Sequence, residues 1–146
     1  MTTEELTNKL KECDDIDIFM NENASEFDES AFAKYLSELA RCNNINGSKL
    51  AIESDINVAY SYSLLRGSSK APGRDIMLKL AFGLMLSVDQ TNRLLTLGGA
   101  APLRSKVRRD SVIIFCLEKK LQLEQANELL LQYNLPPIYQ ATTPAH

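Results

Sequence analysis

The chain has 146 residues, of which 45% are apolar and 24% charged, with a formal net charge of −3. This length suits one domain or two small ones, and the composition is that of an ordinary soluble protein. No apolar run approaches the roughly 20 residues that cross a bilayer, and the N-terminus lacks the apolar core of a signal peptide. We therefore expect a cytoplasmic protein without a membrane partner.

Acidic residues are concentrated at the start of the chain. Residues 1–29 carry ten acids and two lysines, a net charge of −8, whereas residues 30–146 carry a net charge of +5. We treat residues 1–27 as an acidic N-terminal segment, with an amphipathic helix predicted over 3–12 and an apolar patch at 16–20. The segment is either simply solvated, or it masks a nucleic-acid-binding surface, or it docks on a basic partner.

The next element is predicted to be a core-facing helix that starts at Asp28 or Ser30 and ends near Asn43. Its apolar residues follow the i, i+3, i+4, i+7 spacing of one helix face. These residues are Phe32, Tyr35, Leu36 and Leu39. The polar sequence CNNING at 42–47 then predicts a loop.

Residues 47–67 have the spacing of two short helices joined by a tight turn. Ala51 is the small residue needed where the first helix meets the second, and Asp55 and Ile56 fall at the turn. Gly67, followed by Pro72, is a typical helix stop. In a helix-turn-helix, the opening residues of the second helix face the major groove of DNA. Here few of those residues are strong readers of base edges.

From Arg74 onward the sequence repeats at an interval of 35 residues. Residues 74–103 align without gaps to residues 109–138, with eight of thirty positions identical, including an Arg-Asp pair at the start of each copy. Each copy predicts a helical hairpin with its turn near Leu86 or Leu121. An ancient duplication explains the matches, although short amphipathic helices also resemble one another by chance. A hairpin of about 30 residues buries too little apolar surface to fold alone.

These patterns together resemble the Xre-type helix-turn-helix family of the phage-repressor class. The resemblance rests on Ala51, the Asp55-Ile56 turn, Leu64, Gly67 and the helix pair that follows Pro72, and the chain is also similar to short helix-turn-helix proteins of Firmicutes. It implies an all-α fold with a five-helix helix-turn-helix domain at 28–103. A helical hairpin at 104–138 would pack on the same core, followed by a tail at 139–146.

The resemblance also implies a DNA-binding surface. The family's reading and phosphate-binding positions correspond to Ser48, Lys49, Asn57, Val58, Ala59, Tyr62, Ser63, Arg66, Lys70 and Arg74. Among the groove-facing residues only Asn57 is of the type that contacts adenine in bidentate fashion. Three or four phosphate contacts per monomer bind DNA weakly, which favours a homodimer on double-stranded DNA.

Two functions therefore remain open. The first is a DNA-binding transcriptional regulator, and the alternative is a protein-protein interaction module that reuses the fold and binds DNA weakly or not at all. In the second case Tyr60, Tyr62 and Leu65 form a contact face, unless Tyr60 and Leu65 simply pack against neighbouring helices.

Enzyme chemistry, cofactors and metal sites are not expected. The single histidine is His146 at the end of the chain, and the three cysteines, Cys13, Cys42 and Cys116, are far apart with no CxxC spacing. Reduced, inert thiols are the simplest interpretation, with Cys116 packed inside a helix. The strongest basic run, RSKVRRD at 104–110, is either a solvated loop and helix start or a site for phosphate or an acidic partner, such as the chain's own N-terminus.

Overall fold

The computed structural model describes residues 3–5 and 31–138. Residues 3–5 are helical, and residues 31–138 form helices without any strand, so the described part of the chain is all-α as predicted. The helices are α1 (Ala31–Cys42), α2 (Gly47–Ser54), α3 (Val58–Arg66), α4 (Arg74–Gly83), α5 (Val88–Leu97), α6 (Arg108–Glu118) and α7 (Leu123–Gln132). The rest of the predicted helix at 3–12, the apolar patch at 16–20, the helix start at Asp28 or Ser30 and the tail at 139–146 lie outside the described residues.

Helix α1 is amphipathic and packs with the apolar face that its spacing predicts. Phe32, Leu36 and Leu39 are buried, whereas Tyr35 is partly buried against the same core. On the outer side, Ser37 donates a hydrogen bond to the carbonyl oxygen of Leu65 at 2.7 Å. This bond holds α1 against the end of α3.

Capping residues set the limits of α2 and α3. The side chain of Asn46 accepts a hydrogen bond from the backbone of Lys49, and α2 ends at Asp55, whose φ of 53° is left-handed. Asn57 caps α3 in the same way by accepting from Tyr60, and α3 ends at Gly67 with a φ of 78°. Asparagine is a strong N-cap, and glycine has no steric penalty at positive φ. A three-residue connection therefore joins two short, sharply bounded helices.

Helices α4 and α5 form one hairpin, and α6 and α7 form a second. The α4–α5 turn has Met85 at a φ of 53°, and the α6–α7 turn has Lys120, 35 residues later, at 56°. In both turns a glutamine side chain accepts from the backbone of the residue before the second helix. These bonds are Ser87 to Gln90 at 3.0 Å and Gln122 to Gln125 at 2.9 Å.

The segment that follows each hairpin is fixed by an asparagine. The side chain of Asn92 accepts from the backbone N–H of Leu103 at 2.8 Å, and that of Asn127 accepts from Ile138 at 2.7 Å. These two pairs are again separated by 35 residues. They hold the apolar side chains of Leu103 and Ile138 in buried positions.

A continuous apolar core runs through residues 32–138. The cluster of buried side chains includes Leu36 of α1, Leu64 of α3, Leu80 of α4, Leu94 of α5 and Cys116 of α6. Full burial raises the pKa of the Cys116 thiol, because the thiolate loses hydration. The core supports α2 and α3 from beneath and leaves one side of that helix pair exposed.

Candidate nucleic-acid interface

The exposed surface of α2 is built around its first turn. Gly47 is buried under the ring of Tyr62, where an added Cβ would lie 2.6 Å from the ring atoms. Ser61 donates to the carbonyl oxygen of Gly47 at 2.9 Å, and the hydroxyls of Ser48 and Tyr62 lie 3.2 Å apart. Ser48, Tyr62 and Lys49 are exposed. Two predicted site residues from α2 and one from α3 thus form one surface.

The first turn of α3 projects outward beside this surface. Asn57, Val58 and Ala59 are all exposed. The Oδ1 atom of Asn57 accepts from the backbone of Tyr60 at 3.2 Å, so it serves as the helix cap. Bidentate contact with adenine needs both the oxygen and the nitrogen of the amide. Such a contact by Asn57 would compete with its own cap, which leaves the side-chain nitrogen as its available donor.

Ser63 faces the loop after α3. Its hydroxyl hydrogen-bonds to Ser68 and Ser69, and the backbone of Ser68 also donates to the carbonyl oxygen of Ser63 at 3.0 Å. These bonds order the start of the 67–73 loop. Ser63 therefore supports the loop that carries Lys70.

The predicted cations differ in how available they are. Lys49, Arg66 and Lys70 are exposed. Arg74 instead binds the carboxylate of Asp110 at 3.0 and 2.9 Å and the carbonyl oxygens of Ala101 and Pro102 at 3.0 and 3.2 Å. A guanidinium has five N–H donors. These four bonds therefore commit most of the Arg74 side chain to holding helices together.

Acidic residues are nearly absent from this part of the sequence. Between Leu39 and Arg74 the acids are Glu53 and Asp55, in the last turn and at the C-cap of α2. Glu53 is exposed and lies one helical turn after Lys49. Asp55 lies 3.6 Å from the ammonium group of Lys79, whose side chain is fully buried. Burial lowers the pKa of Lys79, and the attraction of Asp55 opposes this shift. Asp55 therefore pairs with a buried cation, and about half of its side chain is exposed at the end of α2.

A second Arg-Asp pair mirrors the first. Arg109 binds the carboxylate of Asp75 at 3.1 Å through both terminal nitrogens, and it donates to the carbonyl oxygens of Pro136 and Pro137 at 2.9 and 3.0 Å. Each arginine thus joins the end of its own hairpin to the first turn of the other. This crossing is not among the contacts predicted from the sequence, although the identical Arg-Asp pairs 35 residues apart indicate it.

Asp110 is the most enclosed carboxylate of these pairs. Burial raises the pKa of its carboxyl, but hydrogen bonds from the Arg74 side chain and the Arg104 backbone outweigh burial, and the pKa is lowered overall. The Arg104 N–H lies 3.0 Å from the carboxylate. The charged form of Asp110 is therefore the one that the fold stabilises.

The alternative contact face is only partly available. Tyr60 and Leu65 are half-buried and pack against the core, and burial raises the pKa of the Tyr60 hydroxyl. Tyr62 is 38% exposed, and Ile52 and Val58 are 76% and 47% exposed. Apolar exposure on this side of the molecule therefore comes mainly from Ile52 and Val58.

The described residues contain no group of three or more metal-ligating side chains. None of their helices is long and apolar enough to span a bilayer. Comparison of the chain with family models, with curated proteins and with solved structures finds no match in any of the three. The case for a function therefore depends on the geometry of the α2–α3 surface.

Proposed function

We propose that the chain is a cytoplasmic, Xre-type helix-turn-helix protein that binds double-stranded DNA and regulates transcription. In this proposal α2, the connection at 55–57 and α3 are the helix-turn-helix, and the first turn of α3 enters the major groove. The observation that carries the proposal is the exposed surface that the first turns of α2 and α3 share, in which neither turn contains an acidic residue. It combines Ser48, Lys49 and Tyr62 with the outward-facing residues 57–59.

The side chains on this surface favour contacts with the DNA backbone. Lys49, Arg66 and Lys70 are exposed and suited to phosphates, and hydroxyl groups such as those of Ser48 and Tyr62 also bind phosphate oxygens. The capped Asn57 and the apolar Val58 offer little direct base recognition. We therefore expect modest affinity, steep salt dependence and low sequence discrimination from one monomer, with a homodimer needed for tighter binding.

The five-helix domain would comprise α1 to α5, with α6 and α7 as a duplicate of α4 and α5. The duplication is supported by contacts that recur after 35 residues. They are the arginine bonds to the proline-containing segments, the glutamine caps of the second helices, and the asparagine bonds to Leu103 and Ile138. The recurrence of the same bonds from the same side chains favours duplication over chance similarity of amphipathic helices.

A protein-protein interaction module is the second candidate. The exposure of Ile52 and Val58 favours it, because large aliphatic side chains at these fractions are available to a partner. Under this alternative the same surface binds protein and duplex DNA binds weakly or not at all.

Fluorescence anisotropy with a labelled random-sequence duplex at about 50 mM and about 200 mM salt tests the proposal. We expect binding that weakens steeply with salt. Lys49→Gln should reduce the slope of log affinity against log salt by about 1, the contribution of one phosphate contact. Lys120→Gln is the matched control, since Lys120 is exposed in the α6–α7 turn. Absence of binding at low salt, or equal effects of the two substitutions, would contradict the proposal.

A further inference from the structure

A groove lies between the start of α6 and the end of α7. It encloses about 260 Å³, and its lining includes Val112, Tyr133 and Leu135 together with Lys106 and Arg108. Tyr133 is 56% exposed, which is high for an aromatic side chain beside an apolar groove. The groove therefore has apolar walls that no described residue covers.

The rim of the groove is basic. Lys106 and Arg108 line it and are exposed, and within residues 31–138 their side-chain nitrogens form no ion pair. No acidic residue lines the groove. A ligand that combines apolar side chains with negative charge would complement both the walls and the rim.

The first hairpin shows what occupies the corresponding place there. Residues 35 positions before Val112 and Tyr133 are Met77 and Gly98. A Cβ added at Gly98 would overlap the end of the Met77 side chain and would lie 3.1 Å from the ring of Phe32. Phe32 of α1 therefore fills this place on the α4–α5 hairpin. The place on the α6–α7 hairpin has no such neighbour in the described structure.

We propose that this groove binds residues 14–22 of the same chain. Their sequence, DDIDIFMNE, places four apolar side chains among three aspartates and a glutamate, which matches the apolar walls and the basic rim. The chain between Met20 and Ala31 extends about 3.3 Å per residue and so reaches roughly 36 Å. A domain of this size has a radius of gyration of about 13 Å, so the segment can reach the groove. This inference does not depend on DNA binding.

Paramagnetic broadening in the full chain tests the docking. Cys42 is exposed and Cys116 is buried, so a Cys42→Ser variant accepts a nitroxide mainly at Cys13, next to the proposed segment. We expect the label to broaden the amide signals of Val112, Tyr133 and Leu135 and to leave those of α2 and α3 sharp. Arg108→Glu and Tyr133→Ser should each abolish the broadening. Leu131→Ser, at a position that is 60% exposed but outside the groove lining, should preserve it.

Three results would overturn the inference. One is broadening that is uniform or centred on α2 and α3, which would place the segment elsewhere. Another is broadening that persists in both groove variants. The third is broadening of an isotope-labelled, nitroxide-free chain mixed with an unlabelled spin-labelled chain, because contact would then be between molecules. The amide spectrum of each variant reports whether it is folded, so a folding defect is not mistaken for lost docking.

Discussion

Removing the Asp110 carboxylate tests the crossed Arg-Asp pairs. The side chain of Asp110 is 5% exposed and accepts bonds from two nitrogens of Arg74 and from the backbone of Arg104. Breaking a buried ion pair by deleting one partner costs about 3–5 kcal/mol. Because the Arg74 side chain is 25% exposed and regains some hydration, we expect Asp110→Ala to lower the free energy of unfolding by about 2–4 kcal/mol.

The mirrored pair supplies the comparison. The side chains of Arg109 and Asp75 are 19% and 32% exposed, so water competes more strongly for that carboxylate. Asp75→Ala should therefore cost about 1–2 kcal/mol, nearer to the value of a partly exposed charged hydrogen bond. Asp89→Ala, in the first turn of α5, controls for the loss of a favourable helix-end charge, which is worth about 0.3–1 kcal/mol.

Urea denaturation followed by circular dichroism measures all three substitutions. A loss of 3 kcal/mol for Asp110→Ala corresponds to a decrease in Tm of roughly 6–12 °C in a chain of this size. A double-mutant cycle with Arg74→Ala then isolates the coupling between the two side chains. A cost for Asp110→Ala no larger than that for Asp75→Ala, or a cycle without coupling, would show that the buried carboxylate does not stabilise the fold through Arg74.

Two further predictions follow from the titrating groups of the fold. Because the pKa of Asp110 is lowered, the stabilisation from its carboxylate is present above the unfolded pKa of about 3.9 and is lost as the pH falls below that value. Asp110→Asn should therefore flatten the pH dependence of the free energy of unfolding below about pH 4. Unchanged acid sensitivity would contradict this. The lowered pKa of the buried Lys79 means that stability rises with pH between its folded value and about 10.4. Lys79→Met should remove that rise and give a free energy of unfolding no more than about 1 kcal/mol below that of the unsubstituted chain. A loss beyond about 2 kcal/mol in urea denaturation would show that the Lys79 charge is needed.

Local sequence signals account for the helix limits. Asn46 and Asn57 are capping residues followed by apolar periodicity, and Gly67 supplies a left-handed stop, so α2 and α3 form close to the predicted positions. The 35-residue alignment likewise anticipates two hairpins with turns near Leu86 and Leu121. In these segments, neighbouring residues contain most of the information that fixes the backbone.

Contacts between distant segments could not be derived in the same way. The family resemblance implies a phosphate-binding role for Arg74, but its side chain binds Asp110, 36 residues away. The sequence also gives no partner for Asp55, whose neighbour Lys79 lies within an apolar helix. A lysine surrounded by buried residues in α4 is a usable signal for a buried ion pair, although its partner depends on how α2 and α4 pack.

The sequence predicts which residues of the candidate site are exposed better than it predicts the hydrogen bonds that their side chains make. The exposure of residues 57–59 follows from their place at the opening of the second helix of the pair. The use of the Asn57 oxygen as a cap depends on a rotamer that sequence does not specify. That difference changes Asn57 from a bidentate adenine reader into a residue with one available donor group.

Amide chemical-shift mapping of duplex DNA on the isotope-labelled full chain tests whether the α2–α3 surface binds DNA. We expect salt-sensitive shift changes concentrated at residues 47–49 and 57–63, in the first turn of α2 and the exposed part of α3. Changes centred on the α6–α7 hairpin, or no changes at low salt with folded protein, would contradict DNA binding through the α2–α3 surface.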